Sequence, residues 1–279
     1  DCYEALWEFE KAIECYKKDL EVEPEAKEWI SSEIGTLYGY LGEYDKAIEW
    51  FNKTPDDEDY YVDMSEICIF QDKLDEALAW LEKKLEKADT PKEKSSAFGE
   101  LASFYQTYIK DYKKVLSYKK EALTLETNTY NLYNIESDIA ELYFLLGDKK
   151  QAKIHAEKSF AYFKESNSGT EDDYLNYKEY RPARLATFAW NYIALGETEK
   201  GLQMLCDMSN CTKCRQCRHK ACFEGPWYEG LYYEAIGEYD KAKECYERGL
   251  KIKPHSLALR FALRGIQKLI DTKKKIIVI

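Results

Sequence analysis

The densest chemistry in the chain lies in CTKCRQCRHKAC, residues 211 to 222, where four cysteines, a histidine and four cations share twelve positions. Cys211, Cys214, Cys217 and Cys222 are separated by two, two and four residues, intervals that let thiolates reach one tetrahedral ion. Four thiolates on one Zn2+ tie a loop down, and the binding free energy adds to the stability of the local fold. His219 is the alternative ligand. The spacing C-x2-C-x2-C also serves iron-sulfur clusters, whose fourth cysteine comes from further along the chain. A third chemistry is a redox-active thiol cluster, with Lys213, Arg215, Arg218 and Lys220 lowering the thiol pKa values. A fourth reading leaves plain cysteines in an exposed loop. The expectation is structural zinc, with an iron-sulfur cluster as the lesser alternative.

Nothing else assembles a reactive centre. His155 and Glu157 form HAE upstream of Cys211 and Cys214, as in a zinc deaminase pattern, but no proline precedes Cys211. His155 reads instead as a surface or packing residue, and His255 as the start of a helix. There is no phosphate-cradling glycine loop, no GxSxG and no HExxH. The expectation is a chain that is not an enzyme. Cys2, Cys15, Cys68 and Cys245 stand alone in helical patterns, and Cys206 is expected to pack in its helix.

The elements around the cysteine segment repeat. GYLGEYDKAIEWF from Gly39, FQDKLDEALAWL from Phe70 and EAIGEYDKAKECY from Glu234 are close to copies of one another. Their shared core supplies a turn glycine, an aromatic that staples the turn, and an alanine where two helices press together. The pattern resembles the tetratricopeptide repeat (TPR), a unit of about 34 residues made of two antiparallel helices. That family carries a small residue at position 8, tyrosine at 11, alanine at 20, an aromatic at 24 and proline at 32. Gly35, Tyr38, Ala47 and Phe51 fall on these positions in one unit; Gly230, Tyr233, Ala242, Tyr246 and Pro254 do so in another. Ala140, Tyr143, Gly147 and Ala152 fit a third, and Ala189, Tyr192 and Gly196 a fourth in which Gly201 replaces the alanine. Weaker units centre on Ala77 and on Ala102 with Tyr105 and Val115, the latter with an extra residue in its turn.

The position-20 residues Ala12, Ala47, Ala77, Val115, Ala152, Gly201 and Ala242 are spaced by 35, 30, 38, 37, 49 and 41 residues. The two long gaps locate an insertion loop at 164–182 and the cysteine-rich loop at 209–222. The resemblance implies an all-α fold, a right-handed superhelical solenoid of about seven helix hairpins over residues 1–271. Counting back from Ala12 places Asp1 midway along a first helix, so the first repeat is truncated and the chain reads as a fragment. HSLALRFALRGIQKLIDTKKK after Pro254 is expected to form a cap helix, started by His255 or Ser256, with Leu257, Phe261, Leu263 and Leu269 on its apolar side. Residues 272–279 are set apart as a tail.

Function follows by implication. In this family the concave face, lined by first helices, binds a peptide of another protein. Some relatives hold acidic chaperone tails in a clamp of Lys, Asn and Arg; the matching positions here are Ser32 and Thr36, or Glu224 and Leu231, so that clamp is absent. With a net charge of -11, the groove suits a basic or amphipathic peptide, and nucleic acid is not expected as a partner of the solenoid body. No apolar run reaches the roughly 20 residues of a membrane span, and a cytoplasmic location with no membrane partner is expected. Tyr38, Tyr105, Tyr143, Tyr192 and Tyr233 fall on the core aromatic position. Tyr60, Tyr61, Tyr133, Tyr174, Tyr177 and Tyr180 are candidates for exposed binding contacts. The leading expectation is an interaction module of a larger regulatory or scaffold protein, with a zinc-tied loop. The alternatives are a metal- or redox-responsive sensor, and a substrate-recruiting part of an enzyme whose catalytic domain lies upstream.

Overall fold

In a computed structural model of the chain, the structure describes residues 8–55, 59–166, 181–209 and 224–277. Among the described residues the chain is built from helices alone. They run α1 (Phe9–Val22), α2 (Lys27–Leu41), α3 (Tyr44–Phe51), α4 (Tyr60–Phe70), α5 (Leu74–Lys87), α6 (Pro91–Phe104), a π-helical turn (Tyr105–Ile109), α7 (Tyr112–Leu125), α8 (Thr129–Leu145), α9 (Lys149–Ser166), α10 (Arg181–Leu195), α11 (Thr198–Ser209), α12 (Glu224–Ala235), α13 (Tyr239–Ile252) and α14 (Leu257–Ile277). The chain divides into two compact units, residues 1–101 and 102–279, with the boundary inside α6.

Among the described residues four hairpins close the same way. The carbonyl of the position-11 residue accepts a bond from the N–H five residues on: Glu43 to Tyr38 at 2.9 Å, Asp148 to Tyr143 at 2.8 Å, Glu197 to Tyr192 at 2.8 Å and Glu238 to Tyr233 at 2.9 Å. The residue before that donor is Gly42, Gly147, Gly196 or Gly237, all with positive φ, the left-handed conformation that ends a helix at little cost only in glycine. Asp72 takes the same conformation in the turn of α4 and α5, where Lys73 donates to Cys68 at 2.9 Å.

Packing between the two helices of a hairpin rests on small residues. Ala12, Ala47, Ala77, Val115, Ala152 and Ala242 are all fully buried. At Gly201 a Cβ would stand 2.5 Å from the Ala189 carbonyl oxygen, so glycine there lets α11 lie directly on the backbone of α10. Position 8 is the socket for position 24: a Cβ at Gly35 would meet the Phe51 ring at 2.2 Å, and one at Gly230 the Tyr246 ring at 2.2 Å. Both aromatics are buried.

In unit 1 the core runs through Phe9, Ile13, Ile30, Ile34, Phe51 and Ile67. In unit 2, Trp190 and Phe188 are among the largest fully buried side chains. Two buried polar side chains there are linked: Asn191 Nδ2 donates to Ser159 Oγ at 2.8 Å, and Ser159 Oγ to the Tyr133 carbonyl at 2.9 Å. Tyr133, expected as an exposed contact, is instead wholly buried, its ring packed against Phe163 and Phe188 of the neighbouring helices. Tyr60 and Tyr61 are half-buried against Trp80; Tyr174, Tyr177 and Tyr180 lie outside the described residues.

The extra residue in the fourth hairpin is absorbed by the π-helical turn at Tyr105–Ile109, closed by Lys110 N–H on the Tyr105 carbonyl at 2.6 Å. Lys110 then takes positive φ and Asp111 caps α7, its side chain accepting from the Lys114 N–H. The cap helix is present and Ser256 starts it, accepting at 3.4 Å from the Leu259 N–H. Its buried side differs from the expected one. Leu259, Ala262, Ile266 and Ile270 face the core, Leu257, Phe261 and Leu263 are only partly covered, and Leu269 is 40% exposed. No helix among the described residues is long and apolar enough to cross a membrane.

Candidate functional site

Cys211, Cys214, Cys217, Cys222 and His219 lie outside the described residues. Among the described residues no group of three or more His, Cys, Asp or Glu side chains is placed to hold a metal ion. Among the described residues Cys15, Cys68 and Cys245 are free thiols. Cys245 is buried beside Glu229, its Sγ 3.6 Å from Oε2, and burial together with that carboxylate pushes the thiol up to about 12 despite Arg248 nearby. It is therefore un-ionised and unreactive at neutral pH. His155 is a packing residue, stacked on Tyr143 and bonded to buried Glu136.

The position-11 tyrosines have a recurrent polar lid. In GEYDKA the lysine precedes the packing alanine, and this places its ammonium over the tyrosine ring of the preceding helix. Lys46 stands 5.3 Å from the Tyr38 ring centre, Lys114 5.8 Å from Tyr105, Lys200 3.5 Å from Tyr192 and Lys241 5.4 Å from Tyr233. These lysines cover the rims of the aromatic contacts and account for much of the motif, so they belong to the scaffold.

One feature of unit 2 is not accounted for by scaffold packing. A cavity of about 230 Å3 opens between Ser103, Gln106, Thr107, Lys119, Asp138, Glu141, Trp227 and Tyr228. All but Lys119 come from the first helix of their hairpin, three hairpins contributing. Gln106 and Thr107 sit in the π-helical turn, which displaces them from the register an unbroken α-helix would give. Lys119 occupies position 24 of its hairpin, where Phe51, Leu81, Ala156, Leu205 and Tyr246 fill the interior of the others. A lysine cannot fill that socket uncharged, and its Nζ turns to Asp138 at 2.6 Å.

Glu141 is the unusual member. It is 5% exposed, and Gln106 Nε2 donates to its Oε1 at 3.1 Å. Burial raises its carboxyl to about 8, Asp138 adds to the effect, and Lys119 and Gln106 oppose it. At neutral pH it is therefore mostly the uncharged acid. Tyr112 on α7 is likewise held well above the ordinary phenol range, first by burial and then by Glu234 and Glu141.

Beside the cavity, unit 2 closes on itself. Lys110 Nζ donates to both oxygens of Glu234, at 2.7 Å and 2.6 Å, and the Tyr246 hydroxyl donates to the same carboxylate at 2.9 Å. Tyr108 of the π-helical turn meets Phe261 of the cap helix edge to face, ring centres 5.1 Å apart. The insertion in the fourth hairpin thus both shapes the cavity and carries the contact that joins the first hairpin of the unit to its last.

Residues 227–256 and 32–53 match family models of the tetratricopeptide repeat. No curated protein matches the chain. Among solved structures, it is similar to the APC/C hetero-tetramer Cut9-Hcn1, at 13% identity over 92% of this chain and 46% of that one, with a TM-score of 0.47. It is also similar to the C-terminal part of a TPR repeat-containing protein from Cytophaga hutchinsonii, at 16% identity over 92% and 95% of the two chains, with a TM-score of 0.43. A third is a Signal Transduction ATPase with Numerous Domains protein with a tetratricopeptide repeat sensor from Pyrococcus horikoshii, at 21% identity over 94% of this chain and 41% of that one, TM-score 0.45. The chain spans less than half the length of the first and third of these. The matched residues fall on hairpins whose small position-8 and position-20 residues and αL turns are set out above, so these two segments are tetratricopeptide repeats, a repeat that in general builds non-catalytic protein-interaction scaffolds.

Proposed function

We propose that the protein docks a segment of a partner protein across the face of unit 2 that holds the cavity, as the recruiting part of a regulatory or scaffold assembly. The observation that supports this is the cavity itself. Repeat hairpins stack to bury apolar surface, and an open polar cavity against a desolvated carboxyl lowers stability unless a ligand completes it. With a net charge of -11, the partner segment is basic or amphipathic. Trp227 and Tyr228 in the lining supply the large, stiff contact surface on which such interfaces rely. Within this reading the loop of Cys211, Cys214, Cys217 and Cys222 is a zinc-tied reinforcement, with His219 as the alternative ligand; the thiol spacing is its support.

The test is selection of random peptides against the intact chain, followed by affinity measurement on Ser103→Trp. This change puts a large side chain on an exposed lining residue of the cavity and leaves Glu141 itself unaltered. Loss of about tenfold or more in affinity, at an unchanged unfolding midpoint, is the expected result. Selected peptides that all ignore the substitution would place binding elsewhere and defeat the proposal.

A further inference from the structure

Resting on that reading, we propose that the cavity of unit 2 seats one cationic side chain of the partner segment, a lysine or arginine, against the carboxylate of Glu141. Four observations lead there. The cavity, at about 230 Å3, is smaller than sites for drug-sized molecules, which run to about 300–1,000 Å3, and suits a single side chain. Glu141 is 5% exposed and lines it, and among the described residues no hydrogen bond reaches its Oε2. Lys119, the cation in the lining, is engaged by Asp138 at 2.6 Å, so an entering anion meets two carboxyl groups and no uncommitted positive partner. Trp227 and Tyr228 give the aliphatic stem and the charge of a cation an aromatic surface.

Entry of the cation carries a proton balance. Glu141 is uncharged in the empty cavity and gives its proton to solvent as the ammonium or guanidinium arrives, so one positive and one negative charge are buried together. The titratable groups around it are Asp138 on its own helix, Lys119 and Tyr112 from α7, and Tyr228 from α12. α9 and α10 also pack on α8, but contribute nothing to the lining. Asp138 disfavours the carboxylate and Lys119 favours it. Because a proton must leave, affinity rises about tenfold per pH unit as pH climbs toward 8 and levels off above it.

The experiment uses peptides selected as above and sensitive to Ser103→Trp. Each lysine is replaced by acetyl-lysine and each arginine by citrulline, and affinities are measured across pH 6 to 9 on the parent chain and on Glu141→Gln. Glutamine has the shape of the protonated acid, and its unfolding curve checks that the fold is kept. One basic position is expected to lose about thirtyfold or more when neutralised. That loss and the pH dependence should both vanish in Glu141→Gln. If the peptides bind the cavity face but every neutralisation costs less than about threefold, the cation seat is wrong while the docking face stands. Failure to obtain any peptide sensitive to Ser103→Trp sinks both.

Discussion

Lys110 and Glu234 are 124 residues apart in sequence, and the lysine ammonium lies within 2.7 Å of both carboxylate oxygens. Neither side chain is more than about a fifth exposed. A contact of this range within a repeat array is unusual, since each hairpin ordinarily touches only its neighbours. It exists because one added residue, taken up as a π-helical turn, carries Lys110 out to meet α12 and brings Tyr108 to the cap helix.

Removing the negative charge therefore loosens unit 2 at both ends of the contact. Glu234→Gln keeps an acceptor for Tyr246 but leaves Lys110 partly buried without a counter-charge, and should cost about 1–3 kcal/mol. Hydrogen exchange is expected to speed up together in the π-helical turn and in α14. Unchanged exchange in α14 would show that the pair does not join them.

Gly201 makes a second, purely steric prediction. An alanine there meets the Ala189 carbonyl oxygen at 2.5 Å and Ile193 at 2.6 Å, and backbone cannot swing aside as a side-chain end can. Gly201→Ala should destabilise unit 2 by about 1–3 kcal/mol, even though alanine is the usual residue at this position in the other hairpins. A denaturation midpoint equal to the parent's would contradict the packing described.

The raised carboxyl of Glu141 predicts a pH dependence of stability. The folded chain holds the proton up to about 8, against an ordinary value of 4.5. Stability from this group is therefore fully present below about pH 4.5 and is lost progressively as pH rises to about 8. Other carboxylates act in the opposite sense, so the informative quantity is a difference. Glu141→Gln should gain on the parent between about pH 5 and pH 8, by on the order of a few kcal/mol. A difference that stays constant with pH would remove the basis for an uncharged Glu141.

For the cysteine segment the expectation is metal. Protein purified without added metal should carry about one zinc per chain and be colourless, and chelation should lower the unfolding temperature. Iron with sulfide would replace the zinc assignment by a cluster. Freshly reduced protein without any metal would return Cys211, Cys214, Cys217 and Cys222 to a thiol-rich loop.

The repeats were legible because their logic is local: small residues at positions 8 and 20 and a turn between them are fixed by one hairpin's own sequence. Even the irregular Val115 hairpin announces its extra residue by spacing, although spacing alone does not say that a π-helical turn absorbs it. Whatever depends on neighbouring hairpins was less readable. In α14 apolar residues occupy more than one stripe, and Leu259, Ala262 and Ile266 are selected over Leu269 by the surfaces of α12 and α13. Tyr133 is buried by Phe163 and Phe188, which arrive from two other helices. The cavity gathers residues from 103 to 228, beyond any motif. Its one local signal was Lys119, a charge at a position that elsewhere carries an apolar or aromatic side chain.

Docking of a cation at the cavity requires that Glu141 be an uncharged acid at neutral pH and accessible from solvent. The most direct test is a carbon-13 titration of the Glu141 side-chain carboxyl in the intact chain, assigned through Glu141→Gln. A midpoint near 8 is the predicted result. A midpoint in the ordinary range near 4.5 would mean the carboxylate is already charged and solvated, and would contradict the central claim.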